Sequence, residues 1–490
     1  MSLVMRTQQM KEKVGELTGK PWMPYVWLAL ITLFGAALRF YKLGAWSFWI
    51  DEIYTINHAL AHFSTPQLIL DHIPPNRNWV PTSVILTAQA LNFWGVSEWS
   101  ARFTSALIGI LTIPILYVPV QKIFGRRVAL IAMLLLAVSP WHIFWSQNAR
   151  FYTALMLIYS MALFAFHFGL ERNRPQYFVA FYVLFYLAMS ERLIAVVLMP
   201  VIAVYLLLLW RLPFEKPIGL NLRNLSILAT PVIAFLVYEV YLLATRGDFI
   251  FSSDVELLAP PIDSPIRLLI VIAFSIGIPL LCLGFFSGAD LTFKKERAGL
   301  LFLIAAILPP LLIVLVNPFV FVVERYALVS LLFWVVLAAS GIQTLFTLTN
   351  RNGTFIALAV IFVLLADAAG DNLLYYQINH GNRLEWREAA EFVRAGMAEG
   401  DIVVSTRAPL AGYYLGQDFL EFQDLSPEDL EAIDAPIWFI MDYPGIWHGR
   451  GDSKEWMESH AQLLQFSFLR TNEENSLLIY YFDPTVNNNP

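Results

Sequence analysis

Eleven apolar runs, each close to the ~20 residues a bilayer core requires, dominate this chain. They lie at approximately residues 22–40, 101–121, 128–146, 151–170, 176–190, 193–210, 226–245, 266–287, 299–316, 326–346 and 354–374. In hydrocarbon every backbone N–H and C=O must be satisfied within the segment, so runs of this kind fold as helices. Composition agrees. Of 490 residues, 58% are hydrophobic and only 14% charged, against roughly a quarter charged in soluble domains. The expected fold is an α-helical polytopic membrane protein of about 11 spans with a small C-terminal α/β domain. The run after Lys20 could be a cleaved signal peptide, but it is long enough to span and lacks a small-residue cleavage site.

The short loops alternate in charge. Lys122/Arg126/Arg127, Arg172/Arg174, Arg211/Lys216/Arg223, Lys294/Lys295/Arg297 and Arg351 fall in every second connection. By the positive-inside rule these face the cytoplasm, as does the N-terminus with Arg6, Lys11, Lys13 and Lys20. An odd number of spans then carries the C-terminus outside, with 41–100, 146–150, 246–267 and 317–325 on the same outer face. The chain is thus expected in the plasma membrane, multi-pass. The sequon at Asn352 falls in a cytoplasmic loop and is set aside, and the single cysteine, Cys282, allows no internal disulfide.

The first outer loop, 41–100, is long enough to carry function. Within it, 64–77 reads as a proline-containing loop and Pro81–Phe93 as a helix lying at the membrane surface. The C-terminal segment from Tyr375 holds 7 basic and 19 acidic residues, leaving 25 against 19 in the rest. Neither part has the basic stripe of a nucleic-acid binder, so no nucleic-acid partner is expected. Leu384–Met397 has helical periodicity, and Ile402–Thr406, Pro436–Asp442 and Ser476–Asp483 read as strands. Ser426-Pro-Glu-Asp429 is a helix start.

Asp51 and Glu52 follow the first span inside the aromatic stretch Trp46–Tyr54. Adjacent acids at membrane level are costly to leave unpaired, and burial raises a carboxylate's pKa toward that of a useful base. The alternative is a pair of interfacial acids facing water. Arg77, Arg102, Arg150 and Arg325 stand on the same outer face and could grip an anionic head group, or else snorkel and pair with acids such as Glu98 and Glu324. His58, His62 and His72 share the loop without a clear third metal ligand beside the His58/His62 pair, and His142 reads as an interfacial hydrogen-bonding residue.

Five segments resemble one superfamily. They are Leu38-Arg39-Phe40 through Asp51-Glu52; Gly95-Val-Ser-Glu-Trp-Ser-Ala-Arg102 and the residues after it; Ser139-Pro-Trp-His-Ile-Phe-Trp-Ser-Gln-Asn-Ala-Arg150-Phe-Tyr; Arg325-Tyr326; and Trp386-Arg-Glu-Ala-Ala390. Together they are similar to the GT-C polyprenyl-phosphate-sugar-dependent glycosyltransferases, in the branch of protein O-mannosyltransferases and the lipid A aminoarabinose transferase. Two departures are visible: Trp79-Val80-Pro81 stands where many members have a His-Pro-Pro-type motif, and Asn148 where Glu is common.

The resemblance implies residues 1–21 as a cytoplasmic tail, 22–374 as a GT-C catalytic module and 375–490 as an extracytoplasmic α/β domain. It implies an inverting transfer of a sugar from a polyprenyl-phosphate donor to a lipid, glycan or protein acceptor. Asp51 would be the general base, with Glu52 orienting it or the acceptor. Arg150, Arg325, Arg77 and Tyr326 would hold the donor phosphate. No cofactor is required, and a divalent metal is neither needed nor assigned. The competing readings are a non-catalytic accessory subunit that keeps the fold, and a lipid or solute transporter. The chain lacks the paired half-repeats of many transporters.

Overall fold

All eleven apolar runs are helical in the structure, a computed structural model that describes residues 22–64, 80–247, 264–347, 351–416, 419–442, 451–467 and 476–485. The tail 1–21, His72 and Arg77 lie outside the described residues. Among the described residues, eight helices are long and apolar enough to cross a membrane, and ten if each of two bent pairs counts as one span. The remaining run is Pro175–Glu191, a helix of 17 residues. The chain is a multi-pass membrane protein.

The fold divides into two compact units. Of the described residues, one unit comprises those within 22–41, 80–86 and 103–370, and the other those within 42–64, 87–102 and 371–485.

In the first unit both bent spans break for local reasons. α1 (Met23–Phe40) packs beside the pair Arg126–Val138 and Pro140–Ser146, which bends by 61°. Pro140 cannot donate a helix bond, and Ser139 restarts the helix by accepting the His142 N–H at 3.5 Å. The second pair, Pro265–Ile276 and Ile278–Phe293, bends by 89° at Gly277, whose φ of +94° only glycine adopts without strain.

A fully buried arginine serves the first break. Arg39 donates from Nη1 to the Gly35 and Ala137 carbonyls, both at 2.9 Å, and from Nη2 to the Leu136 carbonyl at 3.1 Å and His142 Nδ1 at 2.6 Å. Leu136 and Ala137 end their helix, so their carbonyls have lost their partners four residues on. Gln147 does the same for α1, donating to the carbonyls of Arg39 at 2.9 Å and Tyr41 at 2.7 Å. His142, read as interfacial from sequence, is completely buried here.

The second unit contains a five-stranded sheet in the order β2-β1-β3-β5-β4. Its strands are β1 (Ile402–Ser405), β2 (Leu420–Glu421), β3 (Ile437–Asp442), β4 (Gln462–Ser467) and β5 (Leu477–Phe482). β1 runs parallel to β2 and β3, while β5 is antiparallel to β3 and β4. Phe422, Phe439, Met441, Met457 and Leu478 fill its core. The expected helix start at Ser426 is a capping box: Ser426 Oγ accepts the Asp429 N–H and Asp429 accepts the Ser426 N–H. Sequence periodicity did not show Ile50–Ser64, Ala408–Leu415 or Gly451–His460 as helices, nor β4 as a strand.

Arg39→Leu removes the donor to the Ala137 carbonyl in the interior and leaves the Leu136 carbonyl with only the Ser139 N–H at 3.3 Å, and should lower stability by about 2–4 kcal/mol. Thermal unfolding in detergent would read this as a clear drop in midpoint, partly recovered by Arg39→Lys. An unchanged midpoint would show the network idle.

Candidate active site

Chemistry-bearing side chains gather in two places, one in each unit. In the second unit, α2 (Ile50–Ser64) begins at the acid pair, with Asp51 and Glu52 in its first turn. Acids there meet the positive end of the helix. Glu52 accepts the Trp49 N–H at 3.3 Å, the second half of a capping box. The two neighbours then diverge. Glu52 is 0% exposed and Asp51 is half-buried.

Arg102 explains the difference. It is 1% exposed, and its Nε and Nη2 grip the two Glu52 oxygens, each at 2.8 Å. Its other N–H groups reach the carbonyls of Leu43 at 3.2 Å, Trp46 at 2.9 Å and Ser47 at 2.9 Å. That uses all five guanidinium donors. The guanidinium also lies 5.3 Å from the Phe48 ring centroid. Arg102 therefore holds the turn 43–52 as a splint, not as one of the outward cations for a head group that sequence allowed. Its other expected partner, Glu98, is taken by Arg387, and Tyr414 donates to the same carboxylate at 2.9 Å. Burial pushes the Tyr414 phenol well above its usual value, which keeps this donor protonated.

Arg383 joins the site without having been singled out from sequence. Its side chain is 6% exposed, 3.8 Å from Glu52 and over the Trp49 ring at 5.5 Å. Burial pulls its guanidinium below the usual value, while Glu52 and Asp51 pull the other way. Two carboxylates thus face two guanidiniums. Beside Arg383 opens a cavity of about 210 Å³, lined also by Lys42, Trp46, Ser47, Glu385 and Glu388. The signal for Arg383 was its place three residues before the Trp386 motif.

In the first unit, the helix ending at Ser146 turns through Gln147-Asn148-Ala149 into α7 (Tyr152–Arg172). Asn148 is buried and donates to the Phe144 carbonyl at 2.5 Å. This turn presents Arg150, whose guanidinium lies 5.1 Å from the Phe151 ring. A second arginine, Arg192, lies 5.7 Å from the same ring and 5.8 Å from the Tyr326 ring, and it donates to the Tyr326 hydroxyl at 3.1 Å. Arg150, Arg192 and Tyr326 thus share one aromatic-lined cluster. Arg325 adjoins Tyr326 in the 3-10 turn Glu324–Ser330. Sequence reasoning missed Arg192. Its signal was a charged pair, Glu191-Arg192, in the short gap between two spans. Glu191 anchors that gap by accepting the Ser83 N–H at 3.0 Å and hydroxyl at 2.5 Å.

Compared with solved structures, this arrangement of helices and sheet is similar to ArnT from Cupriavidus metallidurans. The apo form gives a TM-score of 0.59 at 14% identity, covering 93% of this chain and 98% of that one. The form bound to undecaprenyl phosphate gives 0.57 with the same coverage. The chain has the GT-C fold. It shares it with the oligosaccharyltransferase AglB of Archaeoglobus fulgidus, solved with an inhibitory peptide and a dolichol-phosphate, at a TM-score of 0.54 and 13% identity over 93% of this chain and 75% of that one. Residues 80–238 match the family model described as dolichyl-phosphate-mannose-protein mannosyltransferase, a stretch that holds Arg102, Arg150 and Arg192. A 97-residue stretch is 36% identical to dolichyl-phosphooligosaccharide-protein glycotransferase 2 of Pyrococcus furiosus. The match spans 13% of that curated relative's length. These GT-C proteins are glycosyltransferases, the superfamily that the sequence motifs resemble.

Removing Arg102 should be severe, because Glu52 is then buried without its counter-charge. Arg102→Met is expected to cost about 3–5 kcal/mol, and Arg102→Lys to recover less than half, since an ammonium offers three donors where five are used. The check is the unfolding midpoint of each variant beside Glu52→Gln/Arg102→Met, which should be milder than Arg102→Met alone.

Proposed function

We propose that this protein is an inverting glycosyltransferase that moves a sugar from a polyprenyl-phosphate donor to a lipid, glycan or protein acceptor at the outer face of the plasma membrane. The observation that carries this reading is the cluster of Arg150, Arg192 and Tyr326, two guanidiniums against the Phe151 ring with the second of them also donating to a phenol. Those are donors matched to a phosphate. The fold supports it, because ArnT was solved with undecaprenyl phosphate and AglB with a dolichol-phosphate. A fold shared with glycosyltransferases also favours an enzyme over a transporter.

In the proposed reaction an acceptor hydroxyl or amine attacks the anomeric carbon while the bond from that carbon to the phosphate oxygen breaks. Asp51 takes the acceptor proton. It suits the role because Arg102 occupies Glu52 and leaves Asp51 half-exposed on the same helical turn. Glu52 is a positioning residue. Arg383 stands 3.8 Å from the Glu52 carboxylate as a further positive charge beside the pair. The leaving phosphate departs as an anion and needs positive charge, supplied by Arg150, Arg192 and Arg325, with the Tyr326 hydroxyl and with Arg77 from outside the described residues. The reaction so written draws on no cofactor. The N-terminus is assigned to the cytoplasm and the C-terminal domain to the outside by the charge alternation of the loops.

The test is sugar transfer by purified, reconstituted protein offered a panel of polyprenyl-phosphate sugars with glycolipid and peptide acceptors. Asp51→Asn should lose about 10²–10⁴-fold in kcat with folding intact. Arg192→Ala should lose about 10-fold or more in kcat/KM, because it removes charge stabilisation at the phosphate. Full activity in Asp51→Asn would remove it as the base. No turnover and no donor binding across the panel would move the assignment to an accessory subunit.

A further inference from the structure

A second polar site lies at the far end of α7 from Arg150. The helix spans 21 residues, so its ends are about 30 Å apart, the thickness of a bilayer core. At its C-terminal end, around His167, Glu171 and Arg172, opens a cavity of about 680 Å³. Loops distant in sequence converge on it, bringing Lys122, Arg172, Lys294, Lys295 and Arg297 to its wall. These belong to the connections whose basic residues mark one face of the membrane.

The charges in this wall do not cancel. Arg297 is committed to Glu171 through two bonds of 2.8 and 2.6 Å, and Lys294 to Asp290 at 2.6 Å. Lys122 and Lys295, both exposed, make no ion pair among the described residues. Of the other lining acids, Glu215 is 94% exposed, with its carboxylate 4.0 Å from Arg297 Nη1, which donates instead to the Glu215 carbonyl at 2.9 Å, and Glu296 is exposed. The cavity also receives the start of the 20-residue helix Arg297–Val316, whose first N–H groups have no side-chain cap and no acid in the first turn. Such an end attracts anions. Independently, His167 lines the cavity at 5% exposure with no hydrogen-bond partner for its Nδ1. A buried ring nitrogen without a partner in a polar cavity is a group in want of a ligand.

We propose that this cavity binds a phosphate-bearing anion, either the head group of an anionic lipid or a soluble phosphate compound, on the membrane face opposite the Arg150–Arg192–Tyr326 cluster. Lys122 and Lys295 supply charge, the start of the helix supplies backbone donors, and the His167 Nδ1–H closes the inner wall. The site is separate from the one assigned to the donor and stands without that assignment.

The experiment uses the full-length protein. One arm measures retention of phosphatidylglycerol by native mass spectrometry after nanodiscs of mixed phosphatidylglycerol and phosphatidylcholine. The other titrates inorganic phosphate and pyrophosphate against protein in detergent. Wild type is compared with Lys122→Ala/Lys295→Ala and with Lys216→Ala, a basic-loop residue that does not line the cavity. The two lysines are exposed, so the double variant should fold with an unchanged midpoint. It should weaken binding about tenfold or more, in line with the loss of charge-assisted bonds, while Lys216→Ala leaves it intact. Loss confined to the lipid arm assigns a head group, and loss confined to the phosphate arm assigns a soluble ligand. No binding in either arm, or equal weakening by Lys216→Ala, would overturn the proposal.

Discussion

The pairing of Arg102 with Glu52 organises the segment on which any chemistry at Asp51 depends. A guanidinium has five N–H groups, and here all five are used, two on one carboxylate and three on the carbonyls of Leu43, Trp46 and Ser47. A buried charge is tolerable only when paired and hydrogen-bonded, and a buried carbonyl only when it has a donor. One side chain meets both demands for a stretch of ten residues. The consequence is a division of labour between adjacent acids: Glu52 is consumed by structure, and Asp51 is held beside it at a fixed point of the same turn.

The same logic recurs in the membrane-spanning part. A span that breaks inside hydrocarbon exposes carbonyls that water cannot reach. Arg39 and Gln147 are long polar side chains that donate back to such carbonyls. The break after Val138 thus becomes a stable corner, and that corner is what delivers Gln147-Asn148-Ala149-Arg150 to the end of α7. The Asn148 amide has turned inward to the Phe144 carbonyl. Positive charge at this end is carried by Arg150 and Arg192, 5.1 and 5.7 Å from the Phe151 ring.

α7 then links two polar ends of one helix, each with basic side chains and each fed by loops from several spans. An apolar helix of bilayer length with cationic groups at both termini is suited to anionic groups at both surfaces of a membrane. The aromatic cluster at one end is partnered by Tyr326. The cavity at the other is wide and open to loops.

The sequence by itself determined the class of solution. Apolar runs near bilayer length force helices, and all eleven read from the sequence are helical; ten, counting each bent pair as one, meet the length and apolarity of a span among the described residues, and the short one at Pro175–Glu191 does not. The short apolar run Pro436–Asp442 and the Ser426 start were legible because each is a local rule. The sequence also marked Asp51-Glu52 as costly to bury. It did not say which acid would be buried, because that is set by Arg102, fifty residues away. Arg192 and Arg383 were hard to read for the same reason: their signals, a charged pair between two spans and a place just before the Trp386 motif, name no partner, and only tertiary packing puts one beside Phe151 and Tyr326 and the other beside Glu52. β4 escaped notice since a short apolar stretch has no strand character until β5 lies alongside it. Spans follow from free energies summed along the chain, whereas partners are chosen by distances that exist only once it has folded.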